Sequence, residues 1–178
     1  MADGVWGRVF LSVLPLLAAC SVHRFEVGSS FASYTKDWSI PAYGPRGAVG
    51  DNEPEHDLTL VSRGQRLDRA FRFSVGEGTL QPRPQEKVTV YSTTFALRLE
   101  RGLGTRWSWD AQAGPRVAWL DNGPGAALDA GLDAATALRV RTGRRSSLGF
   151  QGGLWWTPTG NLPSGVHARL GLVLAWDF

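Results

Sequence analysis

The chain has 178 residues, a formal net charge of +3, 22 Gly, 8 Trp, one Cys and a mean hydropathy of −0.16. No stretch reaches the ~18 continuous apolar residues of a spanning helix, one cysteine permits no internal disulfide, and no basic block interleaved with aromatics marks a nucleic-acid surface. The mean hydropathy reads as soluble, yet it does not exclude a membrane chain whose strands face lipid with every other residue.

At the start, Arg8 precedes the apolar run Val9–Leu17 and then Ala18-Ala19-Cys20. This is too short to span and has the layout of a secretory signal peptide, so residues 1–19 are set apart and 20–178 are taken as one domain. Leu17-Ala18-Ala19-Cys20 resembles a bacterial lipobox, which would make Cys20 the acylated first residue of the mature protein. The other reading is an ordinary signal with a cysteine near its cleavage site. By analogy with lipoproteins, Ser21 rather than Asp at the next position implies passage to the outer membrane.

Turn-rich segments then isolate about eight extended runs. The first, His23–Tyr34, sets Phe25, Val27 and Phe31 against Arg24, Glu26 and Tyr34. An irregular stretch, Thr35–Glu55, precedes the weakest run, His56–Arg63, with Leu58 and Leu60 against Asp57 and Thr59. Gly64-Gln65 turns into Leu67–Gly76, where Phe71, Phe73 and Val75 oppose Arg72 and Ser74; Glu77–Glu86 is expected to be a loop, with Gly76-Glu77-Gly78 as its punctuation. Lys87–Arg101 places Tyr91, Phe95, Leu97 and Leu99 opposite Ser92, Thr94, Arg98 and Glu100. Arg106–Leu120 carries Trp107, Trp109, Val117 and Trp119 on one side, and Arg106, Ser108, Asp110 and Gln112 on the other. Pro115 removes a ladder donor, which predicts a bulge or a strand ending at Gly114. Ala126–Arg141 sets Leu128, Leu132, Leu138 and Val140 against Asp129, Asp133, Arg139 and Arg141. Ser147–Thr157 sets Leu148, Phe150, Leu154 and Trp156 against Gln151 and Gly153.

In the last run, Val166, Ala168, Leu170, Leu172, Leu174, Trp176 and Phe178 share one side, while His167, Arg169, Gly171, Val173, Ala175 and Asp177 share the other. The spacing Arg169-x-Gly171-x-x-Leu174-x-Trp176, ending on Phe178, resembles the C-terminal assembly signal that outer-membrane β-barrels present to their insertion machinery. Gly171, Leu174, Trp176 and Phe178 carry that likeness. Counting back from a periplasmic C-terminus puts Gly64-Gln65, Gly102–Thr105 and Thr142–Arg145 inside, and Thr35–Glu55, Glu77–Glu86, Asp121–Gly125 and Pro158–Ser164 outside. Short turns inside and longer loops outside are the asymmetry of transmembrane barrels.

Orientation separates a membrane barrel from a soluble sandwich or lipocalin-like barrel, which shows the same alternation with its apolar side inward. Opposite charges and much Gly and Ala on the polar sides favour apolar-out, and the terminal Phe178 and the girdle spacing decide for it. The polar sides carry opposite charges that can cancel in a narrow lumen: Arg72, Arg98, Glu100, Asp110, Asp129, Asp133, Arg139, Arg141 and Arg169, with Arg24 and Glu26 beside them. Trp109 and Trp119, on one face of one strand, are about 25 Å apart along the membrane normal at ~3.3 Å per residue and ~40° tilt, the height of the apolar band. Trp107, Trp109, Trp119, Trp156 and Trp176 are therefore the candidate aromatic girdle.

Chemistry is sparsely signalled. There is no metal motif, phosphate loop, dinucleotide fingerprint or nucleophile elbow, so neither metal nor cofactor is expected. Asp51, Glu53, Glu55 and His56 read as a solvated acidic loop rather than a calcium site. His167 with Ser164 and either Asp133 or Glu100 can be written as a lipid-modifying set, but the spacing matches no known motif, and a structural histidine in the lumen is the plainer expectation.

Over nearly its whole mature length the chain resembles the small eight-stranded outer-membrane barrels of the OmpA type. The resemblance rests on strand pattern and terminal signal and carries over no functional residue; the lipobox-like Cys20 departs from it. It implies an all-β, closed, antiparallel up-and-down transmembrane β-barrel in the bacterial (Gram-negative) outer membrane. Eight strands leave room only for side chains, so a plugged lumen is expected rather than a pore. The implied partners are outer-membrane lipids and the barrel-assembly machinery, with no nucleic acid and an external partner left open. The leading expectation is a non-enzymatic structural or surface protein working through Thr35–Glu55. The alternatives are a lipid A-modifying enzyme and a lipid-anchored soluble barrel binding an apolar ligand.

Overall fold

The computed structural model describes residues 22–33, 37–38, 47–49, 53–81, 87–121, 126–158 and 165–178. The signal segment and Cys20 lie outside them, as do most of Thr35–Glu55 and parts of the other expected loops. Among the described residues ten strands form: β1 (Val22–Ser33), β2 (Asp37–Trp38), β3 (Gly47–Val49), β4 (Glu53–Ser62), β5 (Asp68–Gln81), β6 (Lys87–Gly102), β7 (Trp107–Asp121), β8 (Ala126–Arg141), β9 (Ser146–Thr157) and β10 (Gly165–Asp177). β1 and β4–β10 pair antiparallel with their neighbours in chain order, and β10 pairs back onto β1, closing an eight-stranded up-and-down barrel. Closure leaves no free edge in this barrel wall.

The faces fall as the alternation requires of a membrane barrel. Phe31, Leu128, Phe150 and Leu170 each show over 60% of their surface to the outside, whereas Arg98 and His167 show 2% or less. A soluble barrel would reverse that distribution. So broad an apolar exterior would have to be covered by something other than water.

Two expectations need correction at the loop end. Thr35–Glu55 is not wholly irregular: β2 pairs with β3, β3 pairs with Leu80 and Gln81 of β5, and β4 already begins at Glu53. Likewise β5 continues through Gly76-Glu77-Gly78 to Gln81, opposite Val90–Lys87 of β6, so those glycines are strand and not loop punctuation. Ladder hydrogen bonds need only backbone. Where an apolar exterior is no longer required, polar and glycine residues continue a strand without alternation to announce it.

Pro115 also behaves differently from expectation. β7 does not end at Gly114, and Pro115 sits opposite Leu132 of β8. On the β6 side, pairing lapses between Thr94–Arg116 and Leu97–Ala113, which keep one register, so no residue is inserted as a bulge. The missing N–H costs one interval of ladder on one side only. Gly114 makes this possible, because a Cβ there would run into the Phe95 carbonyl oxygen.

Candidate functional site in the barrel lumen

The described connections at one end of the barrel are short: 63–67, 103–106 and 142–145. Just inside this short-turn end, inward positions of four strands converge. Arg98 of β6 and Arg139 of β8 both donate to Glu26 of β1, at 2.6 and 2.9 Å. Both also meet Asp110 of β7, Arg98 at 3.2 Å and Arg139 more closely. Two cations and two anions therefore interlock, all of them buried. At the rim, Arg24 donates to Asp177 at 2.5 Å and to Glu100 at 2.5 Å, capping the quartet toward solvent.

A second layer lies toward the loop end. Asp133 precedes Arg139 by six residues on β8, about 20 Å along the strand at ~3.3 Å per residue. Asp133 accepts from Arg72 of β5 at 2.5 Å and from Arg169 of β10 at 2.8 Å, and Arg116 of β7 stands 3.9 Å away. Glu55 of β4 faces Arg116 at 3.9 Å and Arg169 at 4.0 Å. Gln151 of β9 donates to Asp57 of β4 at 2.8 Å. The Arg116 guanidinium lies 4.3 Å from the centroid of the Trp155 ring, which stacks on His167 at 5.2 Å. Between strands β5 and β6, Ser74 and Ser92 share a hydrogen bond of 2.6 Å.

Taken charge by charge, burial of these ions is costly unless each is paired and hydrogen-bonded. Sharing carboxylates between guanidiniums offsets part of that cost and ties non-adjacent strands together across the interior. Cavities open at the short-turn mouth: one of about 170 Å³ lined by Arg24, Arg106, Trp107 and Arg141, and an open recess of about 400 Å³ by His23, Arg63 and Phe178.

Of the charged residues singled out from sequence, Arg72, Arg98, Asp110, Asp133, Arg139 and Arg169 lie in these two buried layers. Glu100 belongs to the half-open rim, and Arg141 is exposed at the mouth rather than within the stack. Asp129 pairs with Ala118 on the backbone, and its side chain lies outside the described ones. Among the girdle candidates, Trp107, Trp156 and Trp176 are exposed, while Trp109 and Trp119 are half-buried; Trp119 packs against Tyr91 at 5.6 Å and Phe73 at 6.4 Å. Trp107, Trp109 and Trp176 sit near the short turns, and Trp119 and Trp156 near the opposite end.

In the terminal signal, Leu174, Trp176 and Phe178 face outward, and Gly171 lies at the β10–β1 seam. A Cβ on Gly171 would collide with Ser29 and Ser30 of β1. The catalytic set written from sequence falls only partly among the described residues. Ser164 lies outside the described residues, Asp133 is occupied by arginines, and Glu100 is at the far rim from His167.

Three luminal residues escaped the sequence reading. Glu55, expected in a solvated loop, is 2% exposed and faces two arginines. Arg116 was hidden behind the break expected at Pro115, although its parity matches Asp110 and Gln112. Trp155 runs against the expectation that aromatics face outward; its alternation with Trp156 is the one signal of the inward side.

No protein-family model and no curated protein matches the chain. Among solved structures, Neisserial surface protein A superposes with a TM-score of 0.62 at 12% identity, over 87% of this chain and 95% of that one. Ail, the attachment invasion locus protein of Yersinia pestis, gives 0.52 at 11%, over 88% and 99%. The fold is that of a small outer-membrane β-barrel. At such identity the likeness extends to the fold alone. The luminal layers of this barrel therefore stand on its own residues.

Proposed function

We propose that this protein is an integral barrel of the bacterial outer membrane whose lumen is plugged, acting through its loop end rather than by conduction or catalysis. The single observation carrying this reading is the inversion of the faces: leucines and phenylalanines outside, interlocked arginines and carboxylates inside. Lipid supplies the cover that the exterior lacks, and the shared carboxylates obstruct the axis between the mouths. In this reading residues 1–19 direct export, Cys20 takes a lipid, and Gly171, Leu174, Trp176 and Phe178 engage the assembly machinery. The segment Thr35–Glu55, which contains β2 and β3, is the surface offered to an external partner.

Ions and other polar groups dominate the interior and the large aliphatic side chains face outward, which argues against the soluble carrier of an apolar ligand. The test is reconstitution of the full chain, followed by a heat-modifiability gel and planar-bilayer recording. The folded protein should migrate anomalously until boiled and give no sustained conductance. A chain monodisperse without detergent would overturn membrane insertion; stable open-channel steps would overturn the plug.

A further inference from the structure

The short-turn end is basic at every described connection. Arg63, Arg66 and Arg69 surround the first turn, and Arg101 and Arg106 flank the second. Arg141, Arg144 and Arg145 form the third. All eight are exposed, and none is a lysine. Among the acids nearby, Asp68 faces His23 at 3.8 Å, and Glu100 and Asp177 hold Arg24. By contrast, the segments 34–53, 77–87 and 121–125 together carry six acids and four bases in sequence.

Position makes the collar specific. Arg69 and Arg101 occupy outward-facing parity on β5 and β6, and their ladder partners are Leu97 and Trp109. They stand at the lower margin of the apolar exterior, two residues beyond Leu99 in the case of Arg101, with Trp107 and Trp176 exposed at the same end. Leu67 and Leu103, also exposed, lie within the turns beside the arginines. A ligand fitting both features has hydrocarbon to lie along the belt and an anionic oxygen-rich head at its edge. Guanidinium binds phosphate oxygens bidentately, whereas lysine acts as a point charge.

The geometry points to a collar that binds the phosphate headgroups of anionic phospholipids in the leaflet at the short-turn end. This rests on the membrane-barrel reading above. The collar biases the lipid ring around the barrel and holds the short turns against that leaflet.

The test uses the full chain folded into phosphatidylcholine vesicles, with brominated phosphatidylglycerol or brominated phosphatidylcholine quenching the tryptophans. Wild type should be quenched preferentially by the anionic lipid, and raised salt should weaken that preference. The variant Arg101→Gln/Arg144→Gln/Arg145→Gln should lose it by a factor on the order of five or more, given the usual contribution of each basic residue near an anionic surface. Equal quenching of wild type by the two lipids, or an undiminished preference in the triple variant, overturns the proposal. Equal quenching together with binding of soluble polyaspartate would assign the collar to an acidic protein instead. If neither lipid quenches and the gel shows no heat-modifiable form, the membrane reading has failed rather than the collar alone.

Discussion

The two luminal layers carry similar charge but distribute it differently. In the layer near the short turns, Glu26 and Asp110 each bridge Arg98 and Arg139, so either carboxylate can be lost while both arginines keep a partner. In the layer toward the loop end, Asp133 is the hub for Arg72, Arg116 and Arg169. Glu55 supports Arg116 and Arg169 only at 3.9 and 4.0 Å, and Asp57 is hydrogen-bonded to Gln151. One layer is redundant, the other centred. In an eight-stranded barrel, whose interior is about as wide as its side chains, that difference decides which half fails first.

The sharpest way to break the comparison is Asp133→Asn. It leaves three buried guanidiniums short of their common anion, and uncompensated buried charge costs about 3–5 kcal/mol. Urea unfolding of the vesicle-bound barrel should show that loss, with the loop-end half becoming protease-sensitive. A fall under about 1 kcal/mol, the size of an ordinary hydrogen bond, would remove Asp133 from its hub role.

Next in size is Glu26→Gln. Arg98 retains Asp110 and a contact to Glu100 at 3.4 Å, and Arg139 retains Asp110. The loss should therefore sit below that of Asp133→Asn, on the order of 2 kcal/mol, where hydrogen bonds to charged groups lie. The double substitution Glu26→Gln/Asp110→Asn removes the redundancy, and its cost should exceed the sum of the singles. Additive costs would mean the two carboxylates act independently.

The barrel wall was legible from residues because lipid and lumen impose opposite demands on alternate positions. Phe95, Leu97 and Leu99 against Thr94 and Arg98 can be satisfied by one orientation only, and β6, β8 and β10 accordingly run close to their expected limits. That pressure ends with the apolar belt. The continuation of β5 through Gly78 to Gln81, and the β2–β3 pair, depend on backbone partners that alternation does not encode. The lumen was legible as a set of charges but not as pairs. Glu26 finds Arg98 and Arg139 through barrel shear and closure, separations of 72 and 113 residues that no local spacing reveals. Glu55 was lost for the same reason: its partners lie on β7 and β10.

The smallest expected effect concerns Trp155, which replaces a missing carboxylate in the centred layer. Among the described residues the anions facing Arg116 stand at 3.9 Å, while its guanidinium is 4.3 Å from the indole centroid. An indole face attracts a cation through its quadrupole and is the strongest such face among side chains. Trp155→Phe keeps an aromatic ring against His167 while weakening that attraction, so it should destabilise by about 1 kcal/mol. The effect should shrink when Arg116→Met is already present, because the cation is then gone. A double-mutant cycle with no coupling would leave Trp155 as packing alone and return the Arg116 charge to its two distant carboxylates.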